Sequence, residues 1–373
     1  LNGKTIESNK YGQGNAHFLK NVIHREIWWD QYSSMLDPFL KILKKYIKPD
    51  FGIDFAYEEI RKNDGLSFLH RKIDNADLYF VANIQDKHIS MPINFRVHNK
   101  NVWNWNPYNG DITKLFNYSN TVDGIKVPID LQAWESTIII FEEGDVTPHV
   151  NNSNISKIVE VSNNSVKAEA NQNGSYFINI VNNINENFIT TEISDVPSAF
   201  VINGNWSMTL ESDHFKKVEK ELSYLTSWSN EADTKYFSGT GKYDIAFKLR
   251  DEYVSNDIKL ELDLGKLGNI GEVEINGKSA GTIWMKGQKS DITYLVKKGG
   301  NHLTIYVTNT NINRVSSFKE LVPVPKHLVD KYGEAMMTAS MPREFGFEPL
   351  PPSGLIGPVR IYPIKKIAID VDD

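Results

Sequence analysis

The sequence predicts a mainly β protein: tandem β-sandwich and jelly-roll (galactose-binding-like) domains preceded by the tail of an α/β domain. Three observations carry this. Strand-length runs rich in Val, Ile, Phe and Tyr recur from residue 66 to residue 367, alternating with polar positions. Turn chemistry separates them at Asn63-Asp64-Gly65, Asn109-Gly110, Asp123-Gly124 and Asn276-Gly277. The good helical spacing lies before residue 50.

Residues 1–50 open with a turn-rich approach to a strand. Met35, Leu36, Phe39, Leu40, Leu43 and Ile47 then fall near helical spacing, with Lys44, Lys45 and Lys48 at the negative helix end and Pro49 as the stop. One strand and one helix bury no core alone, so this piece is expected to be the tail of an α/β domain whose beginning is missing. Residues 51–145 supply the runs LSFLHRKI, DLYFVANI, ISMPINFRV and STIIIFEE, spaced for a β-sandwich. Residues 146–198 are Asn- and Ser-rich with repeated Ile and Val pairs: small strands with long polar loops, or a linker. Residues 199–373 supply KYDIAFKLR, DIKLELDLG, EVEINGKSAGTIW, HLTIYVTNT and GPVRIYPIKKI, the spacing of a jelly roll. Asn276-Gly277 predicts a type I′ hairpin. KELVPVPKHLVDKYGEAM predicts a short helix in an insertion.

Composition narrows the function classes. A formal net charge of -6 argues against nucleic-acid binding, which leaves a basic footprint. No apolar run reaches transmembrane length. With no cysteine, thiol chemistry, disulfides and cysteine-ligated metals are excluded. The nine histidines are scattered without metal spacing, and no G-x-S-x-G elbow occurs. The first residues hold no signal-peptide core, and the chain opens without Met, as a fragment or processed product would.

Several segments carry a resemblance. YFSGTGKYDIAFKL (Tyr236 to Leu249), the hairpin through INGKSAGTIWMKGQKSDIT, NHLTIYVTNTNINR ending at Asn313-Arg314, and LPPSGLIGPVRI (Leu350 to Ile361) resemble the sugar-binding jelly roll of glycoside hydrolase family 2. The insertion between Asn313-Arg314 and the closing strand, with LSFLHRKIDNADLYFVANIQ, VWNWNPYNGDI and VPIDLQAWESTIIIFEE before it, is similar to glycoside hydrolase family 106, the α-L-rhamnosidases. The resemblance covers nearly the whole chain, the stretch 146–198 excepted. It implies hydrolysis of terminal α-L-rhamnosides by inversion, from plant or algal polysaccharides, in the periplasm or outside the cell. It also implies two carboxylates on a (β/α)₈ barrel and a calcium ion, all upstream of the matching segments. This sequence shows no eight-fold βα pattern, so no residue here inherits the catalytic role.

The remaining chemistry is weighed against bland readings. Glu142 and Glu143 are adjacent on a strand and point apart, whereas Glu344 and Glu348 share a loop and could converge as acid and base, or be solvated charges. Trp103 and Trp105 share a strand face and are either core or a sugar platform. Trp284 follows the hairpin where the resembling families place a loop residue facing the neighbouring domain. Asn309, Asn311 and Arg314 cluster, and a planar guanidinium suits hydroxyls or a carboxylate, or else ties the jelly roll to its own loops. Calcium would use loop oxygens, with no EF-hand pattern to name ligands. The leading function is thus the C-terminal, non-catalytic portion of a glycoside hydrolase of the α-L-rhamnosidase type, with carbohydrate and the missing barrel as partners. A free-standing carbohydrate-binding module is the alternative, and a complete hydrolase of another type the third reading.

Overall fold

The computed structural model describes residues 6–11, 14–19, 46, 49–52, 65–145, 147–182, 185–318, 324–333 and 349–371. The amphipathic stretch before Pro49, which carried the helix expected of the α/β tail, lies outside the described residues apart from Tyr46, as do Glu344 and Glu348. The opening is a hairpin, Ile6–Tyr11 against Gly14–Leu19, rather than an approach to a single strand.

Residues 51–142 form a sandwich of two antiparallel sheets. One has five strands in the order Leu66–Ile73, Ala76–Asn83, Ser136–Glu142, Asn101–Trp105, Ile112–Leu115; the other runs Phe51–Gly52, Ile89–Phe95, Gly124–Leu131, Ser119–Thr121. Alternation decides which side chains enter. Tyr79, Val81, Val102, Ile139 and Phe141 from the first sheet meet Ile93, Phe95, Ile125 and Val127 from the second. Each such side chain contributes on the order of 1.5–3 kcal/mol by leaving water. His70 stacks on Tyr79 at 4.1 Å, with Nδ1 2.7 Å from Asp50 and Nε2 2.9 Å from Asp77. Its role there is structural: it ties the segment at Asp50 to the sandwich.

The Asn-rich stretch is structured. His149–Ser153, Gly174–Val181 and Glu186–Ile193 form one sheet, and Lys157–Val161 pairs with Ser165–Ala170. Their Val150, Ile158, Val166, Ile178, Ile180 and Ile193 make a core. The last strand of the chain, Arg360–Asp370, completes it. Its second half pairs with Ser165–Ala170 and brings Ile369 into this core, while its first half pairs with Ile258–Asp263 and brings Ile361 into the jelly-roll core.

The jelly roll packs that sheet against six strands in the order Phe215–Leu222, Trp206–Ser212, Thr240–Leu249, Gly299–Thr308, Ile270–Ile275, Lys278–Ile283. The Asn276-Gly277 turn has φ of 53° and 75°, the type I′ geometry its residues favour. Lys326–Tyr332 is the helix of the insertion. The closing segment is fixed by a buried polar knot. Trp228 Nε1 donates to the Tyr243 hydroxyl at 2.6 Å, which also accepts Leu355 N–H at 3.1 Å. Ser353 N–H donates to Ser227 Oγ at 2.9 Å, and Asn313 Nδ2 donates to Ser353 Oγ at 3.3 Å. Gly354 is required there: its φ is 84°, and a Cβ would lie 2.6 Å from the buried Trp228 ring.

Candidate functional site

The predicted residues do not gather in one place. Asn309 accepts Gly239 N–H at 2.9 Å and donates to the Phe237 carbonyl at 2.9 Å, so its amide holds the loop before Thr240–Leu249. Asn311 is exposed at the start of the short helix Ile312–Val315. Arg314 is half-buried, its guanidinium 5.8 Å from the Phe318 ring and its N–H on Ser238 Oγ at 3.0 Å. Trp103 and Trp105 are half-buried on the outer face of the five-stranded sheet, because Val102 beside them points into the core. There Trp105 falls in register with Ile138, Phe80 and Leu69 on one side and Ile112 on the other. Lys114 lies 5.6 Å over the Trp103 ring. Glu142 and Glu143 are exposed.

Trp284 stands elsewhere, and the structure builds a site around it. It follows Lys278–Ile283, is 54% exposed, and heads a loop closed by Gln288. The Gln288 carbonyl oxygen accepts the N–H groups of Trp284 and Met285 at 3.0 and 3.2 Å, and its amide donates to Thr282 O at 3.0 Å. This jelly-roll loop meets three loops at one end of the first sandwich. Tyr108, from the turn after Asn101–Trp105, sets its ring edge-on to Trp284 with centroids 5.6 Å apart. Asp86, from the turn after Ala76–Asn83, pairs with Lys286 at 2.7 Å. Gln132 lies against Gly287, where a Cβ would come within 2.5 Å of it.

Trp134 completes the group. It sits between Gly124–Leu131 and Ser136–Glu142, is 59% exposed, and has φ of 64°. A large side chain in the left-handed region costs on the order of 1–3 kcal/mol and persists only where its surroundings over-determine it. They do so here. Asn83, almost fully buried, donates to the carbonyls of Lys87 and Gln132 at 2.7 and 2.8 Å. The Glu135 carboxylate accepts Gln132 N–H at 2.7 Å, and Trp134 N–H reaches Gln85 O at 3.2 Å. Burial pushes the Glu135 carboxyl above its usual pKa, the Gln132 N–H working against it. Asp86, bonded by Lys286, is held below the usual carboxylate range. Tyr108 is fixed too: its hydroxyl lies 3.0 Å from Ser136 Oγ and accepts Ser136 N–H at 2.9 Å. From there a groove of about 520 Å³ runs between the sheets, lined by Asn104, Asn106, Thr113, Asp130, Glu135 and Thr137 among others.

Sequence reasoning picked Trp284 and passed over Trp134 and Tyr108, although it quoted both segments. The available signal was position: a Trp in a tight turn between two strands lies beyond the reach of either sheet's core.

Among the described residues, no three His, Asp or Glu side chains group to hold a metal ion. No residue is therefore assigned to calcium. No helix is long and apolar enough to cross a membrane among them.

Stacked antiparallel β-cores place the chain in the β-sandwich class. Residues 29–120, which include most of the first sandwich, match the family model for alpha-L-rhamnosidase, glycoside hydrolase family 106. Over those residues the chain resembles the α-L-rhamnosidase family. A Formosa agariphila protein named "Putative beta-glucuronidase" is 32% identical over 196 residues, covering 48% of this chain and 17% of that protein. The solved rhamnosidase from Novosphingobium sp. PP1Y shares the fold, with a TM-score of 0.57 at 23% identity, over 89% of this chain and 26% of that one. The chain thus spans a minor part of the length of both relatives.

Proposed function

We propose that this chain is the non-catalytic β-sandwich portion of an α-L-rhamnosidase-type glycoside hydrolase, one that removes terminal rhamnose from plant or algal polysaccharides by inversion. The observation that carries the reading is the α-L-rhamnosidase match over residues 29–120. On this reading the acid and base of the reaction sit on a barrel outside the chain, and the protein works in the periplasm or outside the cell. Inversion requires two carboxyl groups roughly 6.5–9.5 Å apart with water between them. The described carboxylates near the aromatic junction are instead engaged in the fold: Asp86 with Lys286, Glu135 with a backbone N–H.

One observation favours a part of a larger protein over a free-standing binding module. Leu69, Phe80 and Ile112 are exposed in one row across the outer face of the five-stranded sheet, an apolar stripe suited to being covered by further chain.

The name of the Formosa relative sets the competing specificity. The full-length parent, assayed with nitrophenyl α-L-rhamnoside and nitrophenyl β-D-glucuronide, is expected to release nitrophenol from the rhamnoside. Release from the glucuronide alone would overturn the rhamnosidase reading.

A further inference from the structure

The groove of the first sandwich, about 520 Å³, has the size of a small-ligand pocket and is lined from both sheets. Part of its lining is aliphatic: Leu115 and Ile139 from the five-stranded sheet and Ile129 from the other. Asn104, in register with Ile139, lines it beside them, as do Asn106 and Glu135. Each of the two amides has its oxygen committed to the fold. Asn104 Oδ1 accepts the hydroxyl of the buried Thr137, and Asn106 Oδ1 accepts Tyr108 N–H at 2.9 Å. Neither Nδ2 has a partner among the described residues, so both NH₂ groups keep their donors. Glu135 is half-committed in the same way: one oxygen accepts Gln132 N–H at 2.7 Å and the other is left over. The remaining charges of the lining are already matched, Asp130 by His88 at 3.1 Å and Lys157 by Glu169 at 3.7 Å, while Lys114 lies over the Trp103 and Phe116 rings.

We propose that this groove binds a neutral 6-deoxyhexose, its methyl group on Leu115, Ile129 and Ile139 and its hydroxyls on the Asn104 and Asn106 amides and the free Glu135 oxygen. Fixed donors and an acceptor beside an apolar surface are what orient a small polar ligand. The aliphatic side chains give a methyl group dispersion contacts and offer a hydroxyl no partner, so a hexose that keeps its 6-hydroxyl would lose hydration there without return. Neutrality follows from the charges: an anionic sugar would meet the Glu135 carboxylate, with the cations of the lining engaged elsewhere. The arrangement of amides, carboxylate and aliphatic side chains is the groove's own; the choice of a deoxy sugar as ligand rests on the rhamnosidase reading above.

The test is calorimetric titration of the 373-residue chain with methyl α-L-rhamnoside, with methyl α-L-mannoside, which differs only by its 6-hydroxyl, and with methyl β-D-glucuronide as the anionic control. The intact chain is expected to bind the rhamnoside and to bind the other two at least about tenfold more weakly. Asn104→Asp keeps an oxygen for Thr137 and removes the donors, and should weaken rhamnoside binding by about tenfold or more. Thr113→Trp, at an exposed strand position on the groove, should fill it and abolish binding. An aromatic residue suits an exposed strand, so this variant should melt as the original does, separating lost binding from lost folding. No binding of the rhamnoside by the intact chain, binding unchanged in either variant, or equal binding of the L-mannoside or the glucuronide would each overturn the site. Cleavage of nitrophenyl α-L-rhamnoside by the parent, with no rhamnoside bound by this chain, would remove the groove site and leave the functional reading standing; binding by this chain without cleavage by the parent would do the reverse.

Discussion

Tyr243 shows what one hydroxyl does in this fold. It accepts hydrogen bonds from Trp228 and Leu355 inside the jelly roll, so it fixes the closing segment to the centre of the core. Burial pushes its pKa up to about 12, although both donors pull the other way. Burial likewise takes Tyr118 to about 12. In the unfolded chain a tyrosine loses its proton near pH 10. The neutral native form therefore adds stability that is complete below pH 10 and is lost as pH rises toward 12. Urea midpoints are expected to fall across that window. Tyr243→Phe should start lower at neutral pH, by about 1–3 kcal/mol for each donor left unpaired, and then fall less steeply. A midpoint independent of pH between 10 and 12 would show that these phenols are not buried. The residues that made the sequence resemble a sugar-binding jelly roll, Asn313 and the Ser353-Gly354 pair, belong to this same buried knot. They were legible as a motif because the knot tolerates few alternatives, and for that reason they report the fold and not a ligand.

At the scale of elements, the strands were readable where one face is buried and the other wet. Ala76–Asn83 and Ile258–Asp263 were seen because alternation is a local signal. What alternation cannot carry is the partner. Ser165–Ala170 pairs with residues 365–370, about two hundred positions away, and nothing in its own six residues says so. The Asn-rich stretch looked like a linker or a set of small strands for the same reason, since part of its core is lent by the end of the chain. Because Arg360–Asp370 serves two cores, they should lose structure together. Ile369→Ala, which removes a buried side chain from the smaller core, is expected to cost about 2–4 kcal/mol. In calorimetry it should lower the melting of the 149–193 unit and the jelly roll by the same amount. Separate transitions for these two would contradict the shared strand.

For the whole molecule, the candidate site arises where loops of separate units converge, and that is why so little of it was legible. Trp284 was found through its place after a recognisable hairpin. Trp134, Tyr108 and Asp86 are single residues in three turns, brought to Trp284 only by the packing of the first sandwich on the jelly roll. The glutamates that a sequence search would put forward as acid and base, Glu344 and Glu348, lie outside the described residues. The central claim is that this chain serves glycoside hydrolysis without performing it. The most direct measurement is nitrophenol release from nitrophenyl α-L-rhamnoside by the purified chain, beside its full-length parent at equal concentration. Release by the parent and none by the chain is the predicted result. Turnover by the chain alone would contradict the claim and place the catalytic carboxylates within these 373 residues.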